Sequence, residues 1–305
     1  MAPSPNFIPT IALDTGLSSP YYQYRIISRT VFEDSVIWRK SPLKVPYEDY
    51  QRMLMDPETP DETIARYSTV RRGRSAFDVR LSPDRDKVEM TEAQADAESA
   101  MGIGNGLSRW RRPWRFRRRL DRGEALPVLV SEGDSWFQFP IVIREVVDRL
   151  ENDYLVSSVG AAGDTALNMV VRRPEYLDEL RSQKDRVRGF LFSAAGNDII
   201  GEDPATDRPV LLDLLRPFNG DVGDVEGHIV ADLLKEKLDF LRDAYTTVIS
   251  TVRAEPGFER LPIIVHGYDY VFPYPWGDHD GRSPLWAARD EWLGAPLADR
   301  GIEDR

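Results

Sequence analysis

From residue 126 onward the apolar and polar positions follow two alternating rhythms. LPVLV (126–130), YLVSSVG (154–160), VRGFLFSAAG (187–196) and LPIIVHG (261–267) are short apolar runs bounded by turn residues. Such runs predict buried strands. Between them, IVIREVVDRLEN (141–152), TALNMVVRRPEYLDELRSQ (165–183) and VEGHIVADLLKEKLDFLRDAYTTVISTVRAE (225–255) carry apolar residues at helical spacing. Pro174 marks a break or a fresh start within the second of these helices. Strand and helix in alternation predict a parallel sheet with helices on both faces. In such folds function gathers at the carboxyl ends of the strands, so the polar turns there are the places to search.

The first 125 residues lack this regularity. YQYRIISRTVF (22–32) and SAFDVRLS (75–82) read as strands, and TEAQADAESAMG (91–102) reads as a short helix ending in Gly. Proline and charge interrupt the rest. The chain therefore divides into an irregular region, 1–125, which carries a basic aromatic linker at 108–122, and an α/β domain, 126–305.

Charge and composition narrow the function classes. The net charge of −11 argues against a surface built for nucleic acid. There is no cysteine, which removes thiolate chemistry, disulfides and zinc–sulfur sites. The N-terminal MAPSPNFIPTIALDTG shows no charged segment followed by an apolar core, and no apolar run reaches the roughly 20 residues of a membrane span. The expectation is a soluble, cytoplasmic protein.

Three strand ends carry small or amide residues. The first runs into Gly133-Asp134-Ser135, the second into GAAGDT (160–165), and the third into Gly196-Asn197-Asp198. Each alone has a structural explanation, since Gly supplies positive φ and Asn or Asp suits turns and helix caps. Together they bring a hydroxyl, backbone N–H groups and a side-chain amide to one end of a sheet. That set suits acyl transfer, with Ser135 as nucleophile and Ser135 N–H, Gly163 N–H and the Asn197 amide as an oxyanion hole. Asp134 and Asp198 read as residues that shape their turns.

In these blocks the chain resembles the SGNH, or GDSL-type, hydrolases over residues 126 to about 270, most closely a bacterial branch. GDS (133–135) is similar to their first block, AGDT (162–165) to the second and AGND (195–198) to the third. The resemblance implies a three-layer flavodoxin-like sandwich, a catalytic serine at Ser135, oxyanion-hole residues at Gly163 and Asn197, and hydrolysis of esters without cofactor or metal. The motif differs from the GxSxG elbow of the α/β-hydrolases.

The family's last block, Asp-x-x-His, is not found. Val225, Ile263 and Trp276 stand three residues before His228, His266 and His279. HGYDY (266–270) is similar to the segment after the fourth strand in the bacterial branch, where the Asp and His come further along. The resemblance thus implies a chain that stops short of its last strand and base. His279, flanked by Asp278 and Asp280, and His266 are the candidate replacement bases, while His228 is expected to face solvent. The family's strand order places the fourth strand two strands from the first, roughly 10 Å away at about 4.8 Å per strand.

The run SRWRRPWRFRRRLDR (108–122) sets a local basic charge against an acidic chain. Arg109, Trp110, Arg111, Arg112, Trp114 and Arg115 would meet an anionic surface. Alternatively the tryptophans pack inward and the arginines pair with carboxylates. Pro113 is expected to break a continuous helix here. The reading is a serine ester hydrolase acting on a small ester or acylated substrate. Its rival is a catalytically impaired module of the same fold that binds a ligand, a partner or an anionic surface.

Overall fold

The computed structural model describes residues 44–72, 79–92, 94, 105–138, 144–203, 205–268, 270–275 and 292–302. The strand expected at 22–32 lies outside these residues, as do His279, the start of the strand expected at 75–82 and most of the helix expected at 91–102.

The described residues open with β1 (Val45–Pro46), α1 (Tyr47–Met55), α2 (Asp61–Tyr67), β2 (Ser68–Arg72), β3 (Val79–Pro83) and β4 (Val88–Glu89). The strands β2 and β3 pair antiparallel and β1 pairs with β4 in parallel. Tyr50, Leu54, Ile64, Leu81 and Val88 form the small core of this part. Helix α3 (Asn105–Asp121) comes next.

The main sheet is α/β in character. Among the described residues its strands are β5 (Val128–Gly133), β6 (Leu155–Ser158), β7 (Val187–Ser193) and Ile263–Val265. All three pairings are parallel, and the spatial order runs from the Ile263–Val265 strand through β7 and β5 to β6. The four apolar runs read from the sequence are these four strands.

Between them lie α4 (Val146–Leu150), a π-helical turn over Leu167–Arg172 and α5 (Glu175–Ser182). Pro174 separates the last two, as its missing N–H requires. After β7 come α6 (Gly196–Ile199), the hairpin β8 (Glu202–Asp203) and β9 (Arg208–Pro209), α7 (Val210–Leu214), α8 (Ala231–Ala254), the edge strand β10 (Ile263–Val265) and α9 (Gly294–Asp299).

One sheet face sets Val130, Phe190 and Phe192 against Tyr176 and Leu180 of α5 and Leu241, Ala244, Val248 and Val252 of α8. The other sets Leu129, Val156 and Leu191 against Phe137 and Val147. Burial of one such aliphatic or aromatic side chain contributes about 1.5–3 kcal/mol, so the first face supplies most of the apolar stabilisation.

Two expectations are corrected. Pro113 does not break the basic run, which is helical from Asn105 to Asp121. An interior proline costs a helix about 3 kcal/mol. The cost is offset by tertiary bonds from the neighbouring arginines. Arg111 is buried and donates to the carbonyls of Leu54 (2.9 Å) and Asp56 (2.7 Å), which end α1. Arg112, also buried, donates to the Phe137 carbonyl (2.7 Å) and pairs with Glu145 and with Asp148 (3.0 Å). Arg115 pairs with Asp61 at 2.8 Å. Phe116 is buried against Val128 and Leu155, while Trp110 and Trp114 face outward.

The second correction concerns His228, which is buried rather than solvent-facing. Its ring stacks on Phe218 at 5.2 Å, and its Nε2 accepts the Asn219 N–H at 3.2 Å. It sits in a short 3-10 turn before α8, not on that helix.

Candidate functional site

The three strand-end turns meet because β6, β5 and β7 are neighbours running the same way. In the first turn, the Asp134 carbonyl accepts the N–H groups of Phe137 and Gln138, both at 3.0 Å. This folds the chain back and leaves Ser135 half-buried at the tip.

The second turn is seated on the first. Ala161 N–H donates to the Gly133 carbonyl at 3.0 Å. A Cβ at Gly160 would stand 2.3 Å from that same oxygen, so only glycine permits the approach. Gly163 is exposed with φ of 87°, the left-handed region that favours glycine.

The third turn is strained and tied to the second. Ala195 has φ of 98°, a region in which a side-chain-bearing residue is held only by its surroundings. Asn197 is buried and its Nδ2 donates to the Asp164 carbonyl at 2.8 Å. Asp198 Oδ2 accepts the Ala166 N–H at 2.9 Å. Gly163 and Asn197 thus belong to two turns bonded to each other, and Ser135 lies on the turn against which the second one rests. Ser135 Oγ has no hydrogen-bond partner among the described residues.

Asp134, read from sequence as a turn former, is also the hub of a polar cluster. It is 1% exposed. Its carboxylate accepts the Trp136 N–H at 3.1 Å, the Ser193 hydroxyl at 3.3 Å and the Tyr268 hydroxyl. His266 joins through its Nδ1, 3.5 Å from Ser193 Oγ. Its ring lies 5.2 Å from Trp136 and 5.9 Å from Phe137. The two-strand separation between β10 and β5 is therefore real, yet His266 spans β7 and meets the residues just past Ser135.

Sequence reasoning missed Ser193 and Tyr268. Ser193 stands opposite Gly133 in the β5–β7 register. Tyr268 is two residues past His266, the period that places alternate residues of an extended chain on one side. It also packs on Gly196, where an added Cβ would meet its ring at 3.0 Å.

The electrostatics are set by burial. Desolvation pushes the Asp134 carboxyl up, while donors from Tyr268, Trp136 and Ser193 pull it back. Desolvation lowers His266, and the Asp134 charge opposes it. A histidine held below its usual value is a neutral imidazole near pH 7, able to accept a proton. Tyr268 is pushed up by burial and by Asp134 and stays protonated. Glu132, 2% exposed at the end of β5, is pushed well up by burial and by the nearby Asp164.

A groove of about 1050 Å³ runs along the sheet face that carries Leu129, Leu191 and Ile264, and it reaches His266 and Phe137. Among the described residues, no group of three or more His, Asp or Glu side chains converges as metal ligands would. No protein-family model matches this chain, and no curated protein matches it. The case for a function therefore stands on these residues and their geometry.

Proposed function

We propose that this protein is a serine ester hydrolase on a three-layer flavodoxin-like scaffold of the SGNH type. The observation that carries the reading is the bonding of the Asn197 turn to the Gly163 turn, and of that turn to the strand end before Ser135. A primary amide has two N–H donors. One Asn197 N–H holds Asp164; the other serves, with Gly163 N–H and Ser135 N–H, to stabilise an oxyanion.

In the proposed reaction, Ser135 Oγ attacks the ester carbonyl and His266 takes the hydroxyl proton. The tetrahedral intermediate collapses, the C–O bond to the alcohol breaks, and the same proton goes to the departing alkoxide. Water then attacks the acyl-serine, again with His266 as base, and releases the acid. Nδ1 faces Ser193, which leaves Nε2 for the proton. The apolar groove ending at His266 suits the acyl group.

A second reading, a module that keeps the fold but not the catalysis, is favoured by Ser135 Oγ lacking a partner among the described residues. The two separate on p-nitrophenyl acetate and on a longer-chain p-nitrophenyl ester. The hydrolase reading expects turnover that Ser135→Ala abolishes, and that His266→Gln lowers by about 10²-fold or more, the usual worth of a general base. A fluorophosphonate should label Ser135. Wild-type hydrolysis no faster than Ser135→Ala, with no label at Ser135, refutes the hydrolase and leaves the module.

A further inference from the structure

His266 stands in a cage with one polar side. Its ring is walled by Trp136 at 5.2 Å, Phe137 at 5.9 Å and Tyr268 at 5.3 Å, the last two edge-on. Its backbone N–H donates to the Phe192 carbonyl at 3.0 Å, which continues the β10–β7 pairing by one residue and seats the imidazole beside Ser193. Ser193 Oγ meets Nδ1, and the Asp134 carboxylate stands behind Ser193. Ser193 is 0% exposed and Asp134 1%, so their bonds are made inside the protein.

A neutral imidazole donates from one ring nitrogen and accepts at the other, and a proton count decides which does which here. Ionised Asp134 only accepts. Tyr268 gives its one hydroxyl proton to Asp134 Oδ2. Ser193 also has one proton and two acceptors in reach, Asp134 Oδ1 at 3.3 Å and His266 Nδ1 at 3.5 Å. The carboxylate is both nearer and stronger, since a charge-assisted hydrogen bond is roughly twice as strong as a neutral one. The Ser193 proton therefore goes to Asp134, and Ser193 Oγ turns lone pairs towards Nδ1. Nδ1 then has a bond only if it carries the proton itself.

We propose that Asp134, acting through Ser193, is the positioning residue that fixes His266 in its Nδ1–H form and keeps Nε2 free to accept a proton. The catalytic use of this relay rests on the hydrolase reading; the tautomer does not. The turn that carries Ser135 then also carries the acid that orients its base, with β7 supplying the link between them.

The test is made on the full chain with ¹⁵N-labelled histidine near pH 8, where a long-range ¹H–¹⁵N correlation reads which ring nitrogen bears the proton. The chain has three histidines, and His266→Gln identifies the signals of His266. Wild type should show the Nδ1–H form, the opposite of what a free histidine side chain prefers. Ser193→Ala removes the acceptor at Nδ1 and should return His266 towards Nε2–H. Asp134→Asn removes the charge that raises His266 against its desolvation, so the His266 titration should move to lower pH. Among the described residues, Asp134 and Tyr268 are the titratable groups that meet the imidazole, and Tyr268 stays protonated, so this shift reports Asp134.

On p-nitrophenyl acetate, Ser193→Ala should lower kcat by about tenfold or more with KM little changed, part of the 10²–10⁴ that a general base supplies. The proposal is overturned if wild-type His266 is the Nε2–H form, if the tautomer is the same in folded Ser193→Ala as in wild type, or if kcat is equal in the two. Should Ser193→Ala fail to fold, the wild-type tautomer and the Asp134→Asn titration carry the test, and an unmoved titration overturns the proposal. Nδ1–H in wild type that reverts in Ser193→Ala, with no ester hydrolysis by either, upholds the relay and overturns the hydrolase reading alone.

Discussion

Tyr268→Phe isolates one bond in the cluster beside Ser135. The substitution keeps the ring that packs on Gly196 and deletes the hydroxyl that donates to Asp134 Oδ2. A hydrogen bond to a buried ionised group is worth about 1.5–3 kcal/mol. Ser193 Oγ, 3.4 Å from the Tyr268 hydroxyl and 3.3 Å from Asp134 Oδ1, can turn towards the vacated oxygen. That partial replacement puts the expected loss near the lower figure, about 1.5–2 kcal/mol at neutral pH. The sign with pH is set by Asp134, whose folded pKa is raised by burial and held back by its donors. Such a group contributes stability below its unfolded pKa of about 3.9 and loses it as pH rises through the folded value. Removing a donor raises the folded value further, so the variant loses more over the same climb. In acid the deleted bond is neutral to neutral and costs only about 0.5–1.5 kcal/mol. Urea unfolding of both proteins at about pH 4.5 and about pH 7.5 measures the difference, since the midpoint reports stability when the slope is unchanged. A penalty under about 0.5 kcal/mol at the higher pH, or a penalty larger in acid than at neutrality, refutes the assignment of Asp134 as an ionised acceptor.

Glu132 supplies a complementary case. Its folded pKa is raised well above the unfolded value of about 4.3, so wild-type stability should fall as pH climbs past that value. Glu132→Gln should flatten this fall, and a pH–stability curve identical to wild type would contradict a buried carboxyl there. Arg112→Ala removes a guanidinium from the buried Glu145 and the largely buried Asp148, and a donor from the Phe137 carbonyl. The expected cost is about 3–5 kcal/mol by chemical denaturation; a loss below about 1 kcal/mol would mean the pair is solvated in solution.

The sheet was legible because its signal is local. Each strand is an apolar run between turn residues, and VRGFLFS appears as β7 without shift. The three turns were legible for the same reason, since glycine at a strand end admits the backbone angles a turn needs and Asp, Asn or Ser caps it. The basic run misled because Pro113 is judged by its own helix, while the bonds that hold that helix come from α1, Glu145 and Asp148, up to 58 residues away in sequence. His228 misled likewise, since its ring is covered by Phe218 from an intervening loop. Ser193 and Tyr268 carry no motif. They matter only because β7 lies between β5 and β10, a fact of strand order that spacing along the chain does not encode.

That order also explains why the site end of the sheet is held differently from its middle. Under α5 and α8 the strands are joined by apolar side chains, whose attraction is indifferent to pH. At the carboxyl ends carboxylates hold the turns: between segments, Asp198 on the Ala166 N–H and Asp134 on Ser193 and Tyr268; within their own segments, Asp134 on Trp136, Asp164 on the Asn168 amide at 2.7 Å and Glu132 on the Gly133 N–H at 3.1 Å. Burial raises the pKa of all four, so each is a costly way to hold a turn when an apolar contact would serve. The cost has a return in geometry. A hydrogen bond fixes direction, whereas an apolar contact fixes only proximity, and the proposed oxyanion site would need its donors aimed to within a fraction of an ångström. Charge repulsion among these carboxylates falls on the turns themselves, since Asp134 is felt at Asp164 and Asp198, and Asp164 at Glu132. The turns at this end of the sheet are therefore where its stability responds to proton concentration, while the apolar middle is indifferent to it.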